Sequence, residues 1–475
     1  MDGWRTDPIA RFLDALQTRR TALGGTVGGL LVLADAARSE LVDAGKKRKK
    51  RKKRCGKKKT RCKGVCVNTN KDPLNCGGCG QKCDPNEQCR NGVCGCDVCD
   101  NARECPYQSV QAAIDAANAG ATITICKGSF DGAIVVSKNL TLVGNGADDT
   151  ELDGNGEGST VTIAEGVTAT ISGVTISGGT GTLVPAEGFI EGGGILNRGT
   201  LAVLDSVITD NEAERGGGIL NLDERDLILD NTVVKNNKVA TDKPAGTFGG
   251  GILNLFGGHL TVQNGSAIEN NKGGNSAGIH NNGTLVMSDS TVENNDAEFD
   301  GAGIINDEGE ATLNNSIVRG NTTKQGRGGG ILNLGFTLII ENGSQITDNT
   351  AATSGGGIFN QGIGILQVTD SAITENTASE DGGGLFNISG NVTLTRATVS
   401  DNAAGSRGGG AFNSGPVLPH APASLTLENS VIEENRADLG GGILDENEGV
   451  VTLDTQSRVV DNIPDNCIGT GACNP

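Results

Sequence analysis

The chain has 475 residues, of which 75 are Gly and 14 Cys, and only 3% are aromatic. So much Gly and so few rings argue against a compact two-layer core and for an extended, repetitive fold. Charge is divided: residues 1–63 hold 19 Lys/Arg against 6 Asp/Glu, and the remainder hold 20 against 51, a body of net −31 that excludes a nucleic-acid-binding rod.

The N-terminal segment reads TRRTALGGTVGGLLVLADAA at 18–37. Arg19 and Arg20 precede a short Gly-rich apolar run that ends on small residues at Ala34 and Ala36. A twin-arginine-type export signal is expected over 1–37. The run is too short and weakly apolar to be a stable span, and no transmembrane segment is expected in the mature chain. Residues 38–54 form a basic, disordered linker. The run KKRKKRKKRCGKKKTRCK at 46–63 has 14 Lys/Arg, stays solvated and favours anionic envelope polymers or acidic polysaccharide. Lys49, Lys50 and Arg51 are its candidate binding residues.

A Cys-rich module comes next at 55–105, with eleven Cys; only Cys126, Cys467 and Cys473 lie elsewhere. An even total in an exported chain reads as disulfides. The disulfide residues expected are Cys62, Cys66, Cys76, Cys79, Cys83, Cys89, Cys94, Cys105, Cys126, Cys467 and Cys473. Zinc competes, because Cys76, Cys79, Cys96 and Cys99 have zinc-ribbon spacing. A four-ligand site would strand Cys83, Cys89 and Cys94 between them, so disulfides are preferred. Pairings cannot be deduced from spacing; Cys105 with Cys126 and Cys467 with Cys473 are the guesses, the first tying module to solenoid. The elements C-x3-C, NCGGCG and CRNGVC within 62–94 resemble the stigma-specific cysteine-rich protein family. The resemblance implies an extracellular disulfide knot and no catalytic residue.

PYQSVQAAIDAANAG predicts a capping helix within 106–121. Ser109 caps it, Val110, Ala113, Ile114 and Ala117 line one face, and Gly120 ends it. Its apolar face would plug the first coil of a solenoid. The phrase GGGILN at 192–197 then returns, with variants, nine times by 445, at steps of 24 to 33 residues. In phase with it run SVITDN-type phrases at 206–211 and onwards, and a third set such as TLAVLD, LTVQN and VTLTR. All alternate apolar and polar residues at period two, rich in Val, Ile and Thr, and close on Asn, Asp or Gly.

Three short strands in roughly 27 residues make one coil, which buries its inner face only by stacking on its neighbours. The fold expected is all-β: a right-handed, single-stranded parallel β-helix of about 12 coils over 122–462, with a tail at 463–475. The Asn columns starting at Asn197 and Asn211 are architectural: Asn accepts left-handed corners, and stacked amides bond from coil to coil. The helix and the KNLTLVG strand after it resemble the start of pectin-lyase-like parallel β-helix proteins. The coil phrases also resemble the repeats of chlamydial polymorphic outer-membrane proteins, with Ile or Val where those carry a second Phe.

Pectin-lyase-like proteins often cleave acidic polysaccharides with clustered carboxylates, Ca²⁺ and an Arg or Lys base. No such cluster is plain here. His259, His280 and His420 are isolated, and Arg215, Arg327 and Arg407 each precede a Gly triplet as solvated turn residues. Asp149, Glu151 and Asp153 weakly imitate a calcium loop that lacks its closing Glu, so no cofactor is called for and Ca²⁺ is the single candidate. Phe359, Phe386 and Phe412 share one column on successive coils. If alternation holds, this column faces outward as a glycan platform or association surface; packing under the turns or inside the coil is the preferred reading. Lengthened turns at 180–191, 238–248 and 414–424 are further places for function. The expected role is a non-catalytic exported adhesion, glycan-binding or envelope protein; a polysaccharide lyase or glycoside hydrolase is the alternative.

Overall fold

The computed structural model describes residues 55–469 apart from 57–58, 84–87, 91–92, 100–104, 186–187, 240–247, 335 and 416–422. Arg19, Arg20, Lys49, Lys50, Arg51, His420, Cys473 and most of the two later lengthened turns lie outside the described residues.

Three parallel sheets of thirteen strands each wind into a right-handed β-helix. The first sheet begins at Ala121–Thr124, the second at Gly128–Asp131 and the third at Ile134–Val136. The third sheet takes the GGGILN phrases. Register is strict: Ile195 lies beside Ile219, Ile219 beside Ile252, and Asn221 beside Asn254. Period two puts alternate side chains inside, so Val203, Leu229, Val262, Met287, Leu313 and Ile340 stack in one fully buried row of the first sheet. Ile208, Val234, Ile268 and Val292 do the same in the second. One core cluster runs from Val98 to Val451.

A fourth sheet of eight two-residue strands, Glu212–Ala213 to Ala403–Ala404, comes after the second Asn column. Its strands are too short to show a period, which is why sequence reasoning missed it. After it the Gly triplet turns the chain back into the third sheet. Gly382 adopts φ +65, and a Cβ on Gly383 would sit 2.5 Å from the carbonyl of Ala403, so both positions exclude a side chain.

Both Asn columns form continuous ladders. In the first, Nδ2 of Asn281 donates to Oδ1 of Asn306 at 2.9 Å, Asn306 to Asn333 at 2.8 Å and Asn333 to Asn360 at 2.7 Å; Asn413 donates to Asp445 at its end. In the second, Asn295 donates to Asn321 and Asn321 to Asn349, each at 3.0 Å. There the Oδ1 also accepts the backbone N–H of the preceding rung, and the Nδ2 donates to a carbonyl of the preceding coil. Buried corner groups are thereby satisfied by side chains.

The helix spans Val110–Ala116, capped by Ser109, whose hydroxyl accepts from the Ala112 N–H at 3.1 Å. Val110, Ala113 and Ile114 are buried on the first coils as expected. The helix stops before Gly120: Ala117 is already extended, and Lys138 donates to the carbonyls of Asp115 and Ala117.

Among its described residues the module holds two antiparallel strand pairs, Thr60–Cys62 with Val65–Val67 and Gln88–Arg90 with Val93–Gly95. Cys55 bonds Cys66, Cys62 bonds Cys79, and Cys76 bonds Cys89. Cys96 bonds Cys126, and Cys99 bonds Cys105. Cys83 and Cys467 are disulfide-bonded as well. The expected link of Cys105 to Cys126 is therefore corrected. Cys105 closes a short loop on Cys99, and Cys96 carries the staple to the first coil. The zinc-ribbon set is dispersed over four separate disulfides. Beside the staple, Val98 enters the solenoid core, and its carbonyl accepts from the Cys126 N–H at 3.0 Å. No helix among the described residues is long and apolar enough to cross a membrane.

Candidate functional site

The Phe column is not an exposed strip. Phe359, Phe386 and Phe412 are 4%, 8% and 2% exposed and stack with ring centroids 4.6 and 4.7 Å apart. With Ile305, Leu332 and Leu444 they form a second core outside the third sheet. The Gly triplets fold down onto it: a Cβ on Gly382 would lie 2.7 Å from Cβ of Phe386. Alternation does turn the column away from the main core, as expected, but the turn then covers it.

Two of the three Arg residues before the triplets, Arg327 and Arg407, seal that layer. The Arg327 guanidinium lies 4.7 Å from the Phe359 centroid, and Arg407 lies 4.8 Å from Phe412. Arg407 pairs with Asp381 at 2.7 Å and Glu446 at 2.9 Å, and Arg327 bonds Gln361 at 2.8 Å. Arg215 pairs with the fully buried Glu191 at 2.8 Å and lies 5.0 Å from the Phe189 centroid. They are ladder members engaged by neighbouring coils, not solvated turn residues.

The first lengthened turn forms a hairpin of Thr182–Val184 with Phe189–Glu191, and the Arg215 charge next to it acts on His280, two coils further on. His280 occupies a Leu place in the outer column and packs against the Phe248 ring at 4.7 Å. Burial and the nearby Arg215 charge push its pKa down to about 4, opposed by a hydrogen bond with Asn282. At neutral pH the ring is uncharged, so the 4.0 Å approach of Nε2 to Asp307 is not an ion pair. Its Nδ1 makes no hydrogen bond among the described residues. Burial, with the Glu308 charge beside it, raises the Asp307 pKa. His280 is thus partnered in space rather than isolated, although only 4% exposed.

The calcium-loop imitation does not form. Thr150–Asp153 is a strand, so its carboxylates alternate with buried residues. Asp149 meets Lys127, Glu151 accepts from Ser177 at 2.9 Å, and Asp153 accepts from the Asn155 N–H at 2.8 Å. Among the described residues no three His, Cys, Asp or Glu gather as a metal site.

An open groove of about 420 Å³ crosses three coils at the corner between the first and second sheets. It is lined by Gly343, Ser344, Gln345, Asp370, Ser371, Ala372, Arg396 and Thr398. Gln345, Ala372 and Thr398 are register partners on the outer face of the second sheet, so small Ala372 forms the floor between longer neighbours. Arg396 and Asp370 form a two-pronged pair: Nε donates to Oδ1 and Nη2 to Oδ2, each at 2.6 Å. The pair holds the Asp370 carboxyl below its usual range, so it stays ionised. Sequence reasoning missed this site; its one available signal was an Arg in a corner row otherwise filled by Asp and Asn.

The profile of the stigma-specific STIG1-like protein family matches residues 39–97, so the N-terminal Cys-rich module is of that type. No curated protein matches the chain. Among solved structures, the A-module of the mannuronan C-5 epimerase AlgE6 of Azotobacter vinelandii is 14% identical over 77% of this chain and 94% of that one, with a TM-score of 0.38. The pectate lyase Pel9A is 14% identical over 74% of this chain and 75% of that one, with a TM-score of 0.35. The A-module of AlgE4, also from Azotobacter vinelandii, is 14% identical over 76% and 95%, with a TM-score of 0.35.

Proposed function

We propose that this chain is an exported, extracellular or surface-associated β-helix rod that binds polysaccharide without cleaving it. The observation that carries the reading is the open polar groove across three coils, in a scaffold that elsewhere ties Arg407 to Asp381 and Glu446 on its flanking coils. The disulfides support export, since such bonds persist in oxidising compartments. The staple from Cys96 to Cys126 makes module and first coil one covalent piece. In this reading the basic run, with Lys49, Lys50 and Arg51, holds anionic envelope material, and the groove on the rod binds polysaccharide.

A catalytic reading has one observation in its favour, a run of titratable groups along successive coils: Glu191 pairs with Arg215, the Arg215 charge acts on His280, and His280 Nε2 lies 4.0 Å from Asp307. One experiment separates the two. The full chain is incubated with acidic and neutral polysaccharides, with and without Ca²⁺, while reducing ends and unsaturated products are measured. Retention on a polymer without product supports the binding rod. Product that disappears in His280→Leu would replace it with the catalytic reading.

A further inference from the structure

The first-to-second-sheet corner places a non-Gly residue in the left-handed region on nine coils. Eight of these are Asp or Asn: Asp205, Asn231, Asn264, Asp289, Asn315, Asn342, Asp370 and Asn429. The ninth is Arg396, at φ +50. Asp and Asn tolerate this conformation because their short polar side chains bond locally; a long side chain lacks that local bond and is disfavoured there. Nothing in the coil requires Arg, since the equivalent corner Asn315 bonds Asp289 across the same gap at 2.6 Å. An unfavourable residue kept in a row of favourable ones points to use at that place.

Its surroundings indicate what the use is. The pair with Asp370 leaves further guanidinium N–H groups, and further lone pairs on both carboxylate oxygens, directed at solvent. Both side chains are about half exposed, at 49% and 45%. A hydroxyl group is the ligand that uses both at once, donating to Asp370 while accepting from Arg396. Adjacent hydroxyls on a sugar ring match the two prongs. Ala372, between its register partners Gln345 and Thr398, offers a small apolar floor for the C–H face of a ring, and Gln345 is exposed beside it.

Charge decides between sugar classes. The Arg396–Asp370 pair sums to zero, while Glu341 and Glu428 stand on the flanking coils in the row that also holds Thr369 and Thr395. The body beyond residue 63 carries net −31. A polyanion is therefore repelled here, whereas the basic run attracts one.

From this juxtaposition we infer that the Asp370–Arg396 groove is a binding site for an uncharged polysaccharide, recognised through adjacent hydroxyl groups. The inference rests on the polysaccharide-binding reading and gives it a place and a ligand class.

The test uses the full chain at high ionic strength, which screens the basic run. Retention is measured on neutral glucan, galactomannan and xylan and on the polyanions polygalacturonate and alginate. The variants are Arg396→Asn, which installs the residue the other corners use, and Ala372→Trp, which fills the floor. Wild type is expected to be retained by at least one neutral polymer. Arg396→Asn should weaken that retention roughly ten- to hundredfold, as loss of hydrogen bonds from a charged group does, while its thermal midpoint stays level or rises. Ala372→Trp should weaken it similarly. If both variants are retained like wild type, the groove is not the site, although the polysaccharide reading stands. Retention on polyanions alone overturns the neutral-ligand inference and spares the broader reading. Retention on nothing at any ionic strength overturns both.

Discussion

Removing one rung of the second Asn ladder should weaken the rod more than a typical polar substitution. Asn321 is fully buried and makes four side-chain hydrogen bonds. Its Nδ2 donates to the Val292 carbonyl and to Asn349 Oδ1, and its Oδ1 accepts from the backbone N–H and the Nδ2 of Asn295, all at 3.0 Å. In Asn321→Ala the Asn295 Nδ2 keeps its bond to the Ile268 carbonyl, and Asn349 Oδ1 keeps the backbone N–H of residue 321. The Asn295 backbone N–H loses its acceptor, and the Val292 carbonyl loses the amide that met it. The Val292 carbonyl keeps its ladder bond from the Arg319 N–H, so one buried group, the Asn295 N–H, is stripped, and the loss is about 1–3 kcal/mol. Each coil touches only its neighbours, so the defect should be local. Amide exchange, read residue by residue, should accelerate at Asn295 and on the flanking coils while the first coils keep their protection. A loss under about 1 kcal/mol in denaturant, with Asn295 still protected, would refute the idea that the ladder satisfies the buried corner.

The same geometry sets three more outcomes. The folded His280 ring titrates at about 4 and an unfolded one at about 6.5. Above 6.5 neither state holds the proton and the group is silent; as pH falls towards 4 only the unfolded chain takes it up. Stability should therefore drop by about 3 kcal/mol across that window, and His280→Leu should remove this part of the slope; an unchanged slope would mean the ring is accessible to water. Phe386→Ala should cost about 3–5 kcal/mol in denaturant, yet leave polysaccharide retention at the wild-type level, because its ring packs under a Gly turn. A selective loss of retention would restore the exposed-platform expectation. Replacing both Cys96 and Cys126 by Ser should cost about 3–4 kcal/mol and let protease separate module from rod; an intact, resistant product would show that Val98 pairing alone suffices.

Much of this protein was legible without its structure. Coil length, the inward rows led by Val203 and Ile208, the helix face Val110, Ala113 and Ile114, and the two Asn columns all came from period and spacing. Each is a one-dimensional property: parallel coils in register turn a sequence column into a spatial column. What the columns meet is a different matter, because it depends on coils 24 to 33 residues away and on how turns fold over them. Alternation turned Phe359, Phe386 and Phe412 outward, but the Gly turn and the Arg327 and Arg407 guanidinium groups come down over them only in three dimensions. Cysteine spacing predicted a disulfide module but could not choose Cys96 over Cys105 as partner of Cys126, since pairing is set by which Cα atoms converge. Asp370 and Arg396 stand 26 residues apart in the chain and become a pair only across one coil. The scaffold can be read from the chain because it repeats; the groove belongs to the folded molecule, because it arises where one corner of the repeat departs from the rest.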